Sequence, residues 1–213
     1  GTQVWEDTGV LLDDRLNSKA DTLWDATTNK LYVASHYAYQ NSSVIGNPAN
    51  YARLYRYSYD GVTHTYTLDT GFPVTINHDK TEALTLAKDS TGRLWITYVS
   101  RDASDDPNFY KVYVNATTGP NNDTSWGEPL ALTDLTNPGD FATEARVALD
   151  DIAAVIAFKD NGGDKVGIMW SNQYTGTNHL NFAWHLDGNN SYSQGSDWTL
   201  QPGLNLLANT TPD

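Results

Sequence analysis

The sequence predicts an all-β chain made of a repeated, four-stranded antiparallel unit, about three units long. Three observations predict it. Residues 82–132 read as four short strands joined by turns. The same succession of elements occurs upstream, with LYVASHY at 31–37 matching LWITYVS at 94–100. No segment carries the periodic apolar stripe of a long amphipathic helix. One small meander hides a single face and is marginal alone, so the units must cover one another. Long-period self-similarity with several strands per unit is the signature of a β-propeller or a related array.

The second unit is the template. Residues 82–88 alternate well enough for a strand, and Asp89-Ser-Thr-Gly92 is a turn, with glycine supplying a positive φ. Residues 93–100 form the next strand, rich in aromatic and β-branched residues. Strands at 110–115 and 126–132 complete it. In the first unit, Asp25 stands where Asp89 does, 52–60 takes the third-strand place, and 64–76 fills the outer slot. Residues 1–12 resemble an outer strand, with Trp5 aligned to Trp126.

The third unit is less regular. TEARVALDD at 143–151 echoes TEALTLAKD at 81–89, which makes 143–151 the inner strand and 152–160 the second. Three more candidate strands follow, at 165–173, 180–188 and 198–207. That gives five strands where four are expected. The blades then span 13–77, 78–135 and 136–213. Because propellers close with roughly four to eight blades, three units leave faces open. Self-association, or further blades of the same protein, is the expected remedy.

Composition narrows the function classes. Seven Trp and thirteen Tyr can anchor a core of short strands. The formal net charge of −13 disfavours nucleic-acid binding, which needs clustered Lys and Arg. No apolar run is long enough to span a membrane as a helix. With no cysteine, neither disulfides nor cysteine-bound zinc hold the fold. Loops rich in Asn, Thr, Ser and Gly suit an extracellular or cell-surface protein of bacterial type.

The segments DDRLNSKAD, DSTGRLW, GFPVTI, VGIMWSNQ and FAWHLDG together resemble secreted bacterial sialidase-like β-propeller proteins of the BNR or Asp-box type. The resemblance implies a propeller fold and a glycan-related role. It rests on repeat motifs, and those are imperfect: the Asp-box pattern is S-x-D-x-G-x-x-W, whereas residues 193–198 and 121–126 keep only a polar turn before Trp198 and Trp126. A sialidase also needs three arginines for the substrate carboxylate, a Tyr–Glu nucleophile pair and an acid. The Phe-Arg-Ile-Pro start motif is missing, and Arg53, Arg56 and Arg93 fall at strand positions expected to face solvent.

One rim gathers the remaining candidates. Inner-strand starts carry Lys19 with Asp21, then Glu82 and Glu144; second-strand ends carry His36, Arg101 and Lys159; Arg15 and Arg146 lie nearby. Such a rim could bind a glycan or a protein ligand, or it could be a set of inter-blade salt bridges of little worth when exposed. Asp102, Asp105 and Asp106 are candidate calcium ligands, as are Asp160, Asn161 and Asp164, but solvated acidic loops have the same composition. Asp13-Asp14 and Asp150-Asp151 are paired carboxylates, one of each pair read as a turn cap. The five histidines show no zinc-site spacing, and His185 reads as a packed strand residue. The first function expected is therefore a non-catalytic binding or scaffold module without a cofactor. The alternatives are a sialidase-like glycoside hydrolase completed by residues outside this chain, and a self-assembling structural subunit.

Overall fold

A computed structural model describes residues 7–37, 47–48, 51–78, 81–101, 110–132, 147–148, 151–172, 179–189, 191–192 and 197–201. The chain is all-β, with three antiparallel sheets. The first contains β1 (Ser18–Asp25), β2 (Lys30–Tyr37), β3 (Ala52–Asp60), β4 (Thr65–Leu68) and β5 (Val74–Asn77). β4 pairs with one half of β3 and β5 with the other, so the two share a single outer position. Between them the chain turns through Gly71, at φ 89°, and the cis Phe72–Pro73 bond. The second sheet contains β6 (Thr81–Lys88), β7 (Leu94–Arg101), β8 (Tyr110–Ala116) and β9 (Leu130–Ala131). Its fourth strand is shorter than expected: Trp126 makes only an isolated bridge to Thr117.

The third sheet corrects the sequence reading. Its strands are β10 (Ala153–Asp160), β11 (Gly163–Asn172), β12 (His179–Leu186) and β13 (Thr199–Leu200). Among the described residues there are four, and 153–160 is the first of them, not the second. The reason is the tight hairpin at Asp160: its carboxylate accepts the Gly162 N–H at 2.7 Å, and Gly163 takes a φ of 115°. At 143–151, where an inner strand was expected, Val147 makes one bridge to Tyr110, and residues 143–146 and 149–150 lie outside the described residues. Of the outer strand expected at 1–12, residues 1–6, Trp5 included, lie outside the described residues, and 7–12 join no ladder. Val10 and Leu12 instead pack on Val33, Tyr55 and Tyr57 of the first sheet.

An aspartate shapes the first hairpin of every sheet. Asp25 accepts the Thr27 N–H and the Thr28 hydroxyl. Asp89 accepts the Thr91 and Arg93 N–H groups and, at 2.7 Å, the indole N–H of buried Trp95. Asp160 does the same work in the third sheet. Short acidic side chains satisfy turn N–H groups that no ladder reaches.

The sheets stack face to face, because strand alternation gives each an apolar side. Leu94, Ile96 and Tyr98 of β7 meet Tyr32, Ala34 and Leu54 of the first sheet. Trp95, Val99, Val112 and Val114 meet Val155, Ile168 and Trp170 of the third. Each fully buried side chain of this size contributes about 1.5–3 kcal/mol. The inner strands β1, β6 and β10 lie side by side: the Leu86 N–H donates to Asp21, and the Val155 N–H to Thr85. These are three blades of a β-propeller. On the far face of the third sheet, Ile156, Met169 and Leu186 remain exposed. Among the described residues, no helix is long and apolar enough to cross a membrane.

Candidate functional site

One end of the stack is formed by the starts of β1, β6 and β10 and the ends of β2 and β7. There a cavity of about 440 Å³ is lined by Lys19, His36, Glu82, Leu84, Asp151 and Ile152, among others. The strand order explains the convergence. Lys19 and His36 are cross-strand partners in the first sheet, and Glu82 begins the neighbouring inner strand.

The polar contacts in this cavity are loose. His36 Nε2 stands 3.5 Å from Glu82 Oε2, and Lys19 Nζ stands 4.0 Å from the same oxygen. The Lys19 side chain is 68% exposed, so it holds Glu82 weakly. Both His36 ring nitrogens and Glu82 Oε1 are buried without a hydrogen-bond partner among the described residues. His36 is 3% and Glu82 8% exposed. A buried polar group left without a partner costs about 1–3 kcal/mol, so the pair favours a partner from the cavity. A group that both donates and accepts, such as a hydroxyl, would satisfy the pair.

The other rim candidates are elsewhere or otherwise engaged. Arg15 clamps Asp13 at 2.7 Å and donates to the Tyr51 carbonyl, which fixes the chain entering β1. Burial pushes the Asp13 carboxyl up, but hydrogen bonds from Arg15 and Ser35 outweigh it and hold the group at about 2. Arg101 ends β7 opposite Tyr110 and does not line the cavity. Lys159 is a correction: it sits at the far end of β10, at the opposite end of the stack, paired with Asp164 at 3.0 Å. Its misplacement follows from the one-strand shift in the third unit. Glu144 and Arg146 lie outside the described residues, as do Asp102, Asp105 and Asp106. Asp160 and Asp164 are occupied by Lys165 and Lys159, and the described residues hold no group of three or more metal-ligating side chains.

Among the lining residues that sequence reasoning did not assign to the rim, one is acidic. Asp151 occupies the third blade's equivalent of the rim, but its carboxylate accepts the Ala148 N–H and the Ser171 hydroxyl, each at 2.6 Å. It is the turn cap that its place in an Asp-Asp pair suggested. His185 is likewise a packed residue, fully buried between Trp95 and Trp198. Arg93 departs from its expected surface position: it is buried, with its guanidinium 6.0 Å from the ring centres of Trp95 and Tyr192.

No protein-family model matches the chain, and no curated protein matches it. Among solved structures it is similar to a glycosyl hydrolase from Bacteroides ovatus, at 15% identity and a TM-score of 0.47, over 88% of this chain and 48% of that one. It is similar to an endo-arabinase from Bacteroides thetaiotaomicron, at 14% identity and a TM-score of 0.41, over 93% of this chain and 84% of that one. It is also similar to the Trypanosoma rangeli sialidase, at 14% identity and a TM-score of 0.46, over 86% of this chain and 30% of that one. The chain thus spans about half the length of the first of these and less than a third of the last.

Proposed function

We propose that the chain is a propeller module that binds a polyhydroxylated ligand, a glycan, in the cavity between Lys19, His36 and Glu82, without cleaving it. One observation carries this: a buried carboxylate and a buried imidazole face an open cavity 3.5 Å apart with their hydrogen-bonding capacity unspent. An inter-blade salt bridge is the poorer account. Elsewhere in this molecule such bridges close to 2.7 or 2.8 Å, as in Arg56–Asp123 and Lys88–Asp25.

Glycoside hydrolysis by the usual route needs two carboxylates flanking the bond. Here the second lining carboxylate, Asp151, is committed to Ala148 and Ser171. That favours binding over a sialidase-like hydrolase. The polar, acidic loops support an extracellular setting, and the exposed apolar face of the third sheet supports association with another blade-bearing chain or a further blade.

A printed glycan array followed by calorimetry tests the proposal. Binding in the micromolar to millimolar range is expected, reduced at least tenfold by Glu82→Gln and by His36→Ala, with no release of chromophore from aryl glycosides. Binding unaffected by both substitutions would sink the site, and turnover would replace the binding role with a catalytic one.

A further inference from the structure

The inner strand of the second sheet is irregular at the cavity. Along β6 the pairing runs Glu82 with Val99 and then Thr85 with Thr97, so three steps on one strand face two on the other. This is a β-bulge, with one extra residue between Glu82 and Thr85. Within it Ala83 takes a φ of +50°. The other four non-glycine residues with positive φ among the described residues are Asn17, Asn29, His64 and Asn121, all in turns. Asparagine visits that region routinely because its side chain bonds locally. Alanine has no such compensation, and this one lies inside a strand.

The bulge changes where Glu82 points. Residues directly opposite each other in an antiparallel pair project to the same side of the sheet. Val99, opposite Glu82, belongs to the cluster packed against the third sheet. Uninterrupted pairing, two steps from Thr85 rather than three, would carry Glu82 the same way. Its carboxylate instead reaches His36 and Lys19 of the first sheet. Bulges re-aim side chains in this manner and concentrate near functional sites, as do residues held in sparsely populated backbone regions.

We infer that Ala83 is a positioning residue: its left-handed backbone and the extra residue it adds to β6 swing Glu82 out of register and into the cavity beside His36. This rests on the binding role proposed for that cavity. It adds that the strain is local to the site and dispensable for the fold.

The test compares three variants with the unmodified chain by crystallography, thermal melting and the glycan array. Deleting Ala83 restores regular pairing. The Glu82 carboxylate is then expected to leave His36, and array binding to fall at least tenfold, while the sheets and the melting profile persist. Ala83→Gly, which tolerates positive φ, is expected to keep the contact and the binding and to melt no lower. Ala83→Val, which resists positive φ, is expected to behave as the deletion does and serves if the deletion does not fold. A Glu82–His36 contact that survives in the deletion or in Ala83→Val overturns the inference. The site itself is judged separately by Glu82→Gln: if that variant binds like the unmodified chain, the binding role falls, while the deletion structure still decides whether Ala83 aims Glu82.

Discussion

The carboxylates of the hairpin end and Glu82 at the strand-start end are bonded in opposite ways. At the hairpin end, every carboxylate discussed above has at least one short bond. Asp69 receives Lys30 at 2.7 Å and Arg56 at 2.6 Å. Asp123, in the turn after β8, receives Arg56 at 2.7 Å and the Tyr32 hydroxyl at 2.8 Å, tying the first sheet to the second. Arg56 also lies over the Phe72 ring at 4.5 Å. Single oxygens without partners occur there, such as Asp123 Oδ1 and Asp187 Oδ1, but the other oxygen of each carboxylate is well bonded. At the strand-start end, the ion-pair contacts of the Glu82 carboxylate among the described residues are 3.5 and 4.0 Å. Glu82 stands apart even from its own end, where Asp13 is held at 2.7 Å and Asp151 at 2.6 Å: the hairpin-end pairs fasten neighbouring sheets, whereas the Glu82–His36 pair keeps polar capacity over the cavity.

The largest effect that would sharpen this contrast is expected from Asp123→Ala. The substitution leaves Arg56 without one of its two anions and the Tyr32 hydroxyl without its acceptor. Burial, reinforced by the bond to Asp123, already pushes the Tyr32 phenol well above its ordinary range. Removing one partner of a buried, bonded group costs several kcal/mol; with Arg56 a quarter exposed, about 3 kcal/mol is expected in urea unfolding. A loss below about 0.5 kcal/mol would mean the two sheets are held by packing alone.

Acid should expose the same asymmetry. Burial raises the Asp25 carboxyl, but bonds from Lys88 and Thr28 outweigh it and bring the group from 3.8 to about 2. Asp13 behaves likewise through Arg15 and Ser35, and Asp69 is lowered by Lys30, Ser58 and Arg56 against its burial. Because the folded values lie below the unfolded ones, this stabilisation is complete above about pH 4 and disappears as pH falls toward 2. Asp13 and Asp25, each with a side chain little exposed, contribute roughly 2 kcal/mol apiece on that basis. Melting temperature should drop steeply through this window, and Asp25→Asn should flatten part of the drop.

How much of this was legible in the sequence follows from what alternation can and cannot encode. The repeat, the all-β class and the equivalence of Asp25 with Asp89 were legible because turn chemistry and strand period are local. The third unit slipped by one strand because TEARVALDD resembles TEALTLAKD residue by residue, whereas the tight Asp160-Asn-Gly-Gly163 hairpin was the better signal. That slip alone sent Lys159 to the wrong end. Lys19, His36 and Glu82 were legible as neighbours because they occupy equivalent strand ends. The bulge was not, since Ala83 looks like any residue of an alternating strand. Nor was the burial of Arg93, because its neighbours Trp95 and Tyr192 meet only after sheets two and three have packed.

A smaller effect tests the open face of the third sheet. A Cβ added at Gly167 would stand 2.8 Å from the Phe158 ring and 2.9 Å from Phe182. Both rings lie on the side where Ile156, Met169 and Leu186 are exposed. Rings with room to move can yield, so Gly167→Ala should cost only about 1 kcal/mol, at the low end for overpacking. A loss of 3 kcal/mol or more, measured on the purified chain, would mean the face is packed rigidly against a partner. A concentration series in light scattering would then show that partner as a second copy or exclude it.

The smallest change in stability is expected at Glu82, and it is the most telling. Removing a carboxylate held for structure costs several kcal/mol, as for Asp123→Ala. Glu82 has no short bond to lose, and its charge is buried without adequate compensation. Glu82→Gln removes that charge at nearly constant shape. Burying a neutral amide costs less than burying a charge, so unfolding should be unchanged or shifted upward by up to about 1 kcal/mol. Stability gained while binding is lost is the pattern of a site that holds a charge against the interest of the fold. A loss of 2 kcal/mol or more from Glu82→Gln would instead place Glu82 with Asp123, as a structural tie, and the difference between the two ends would be one of geometry without function.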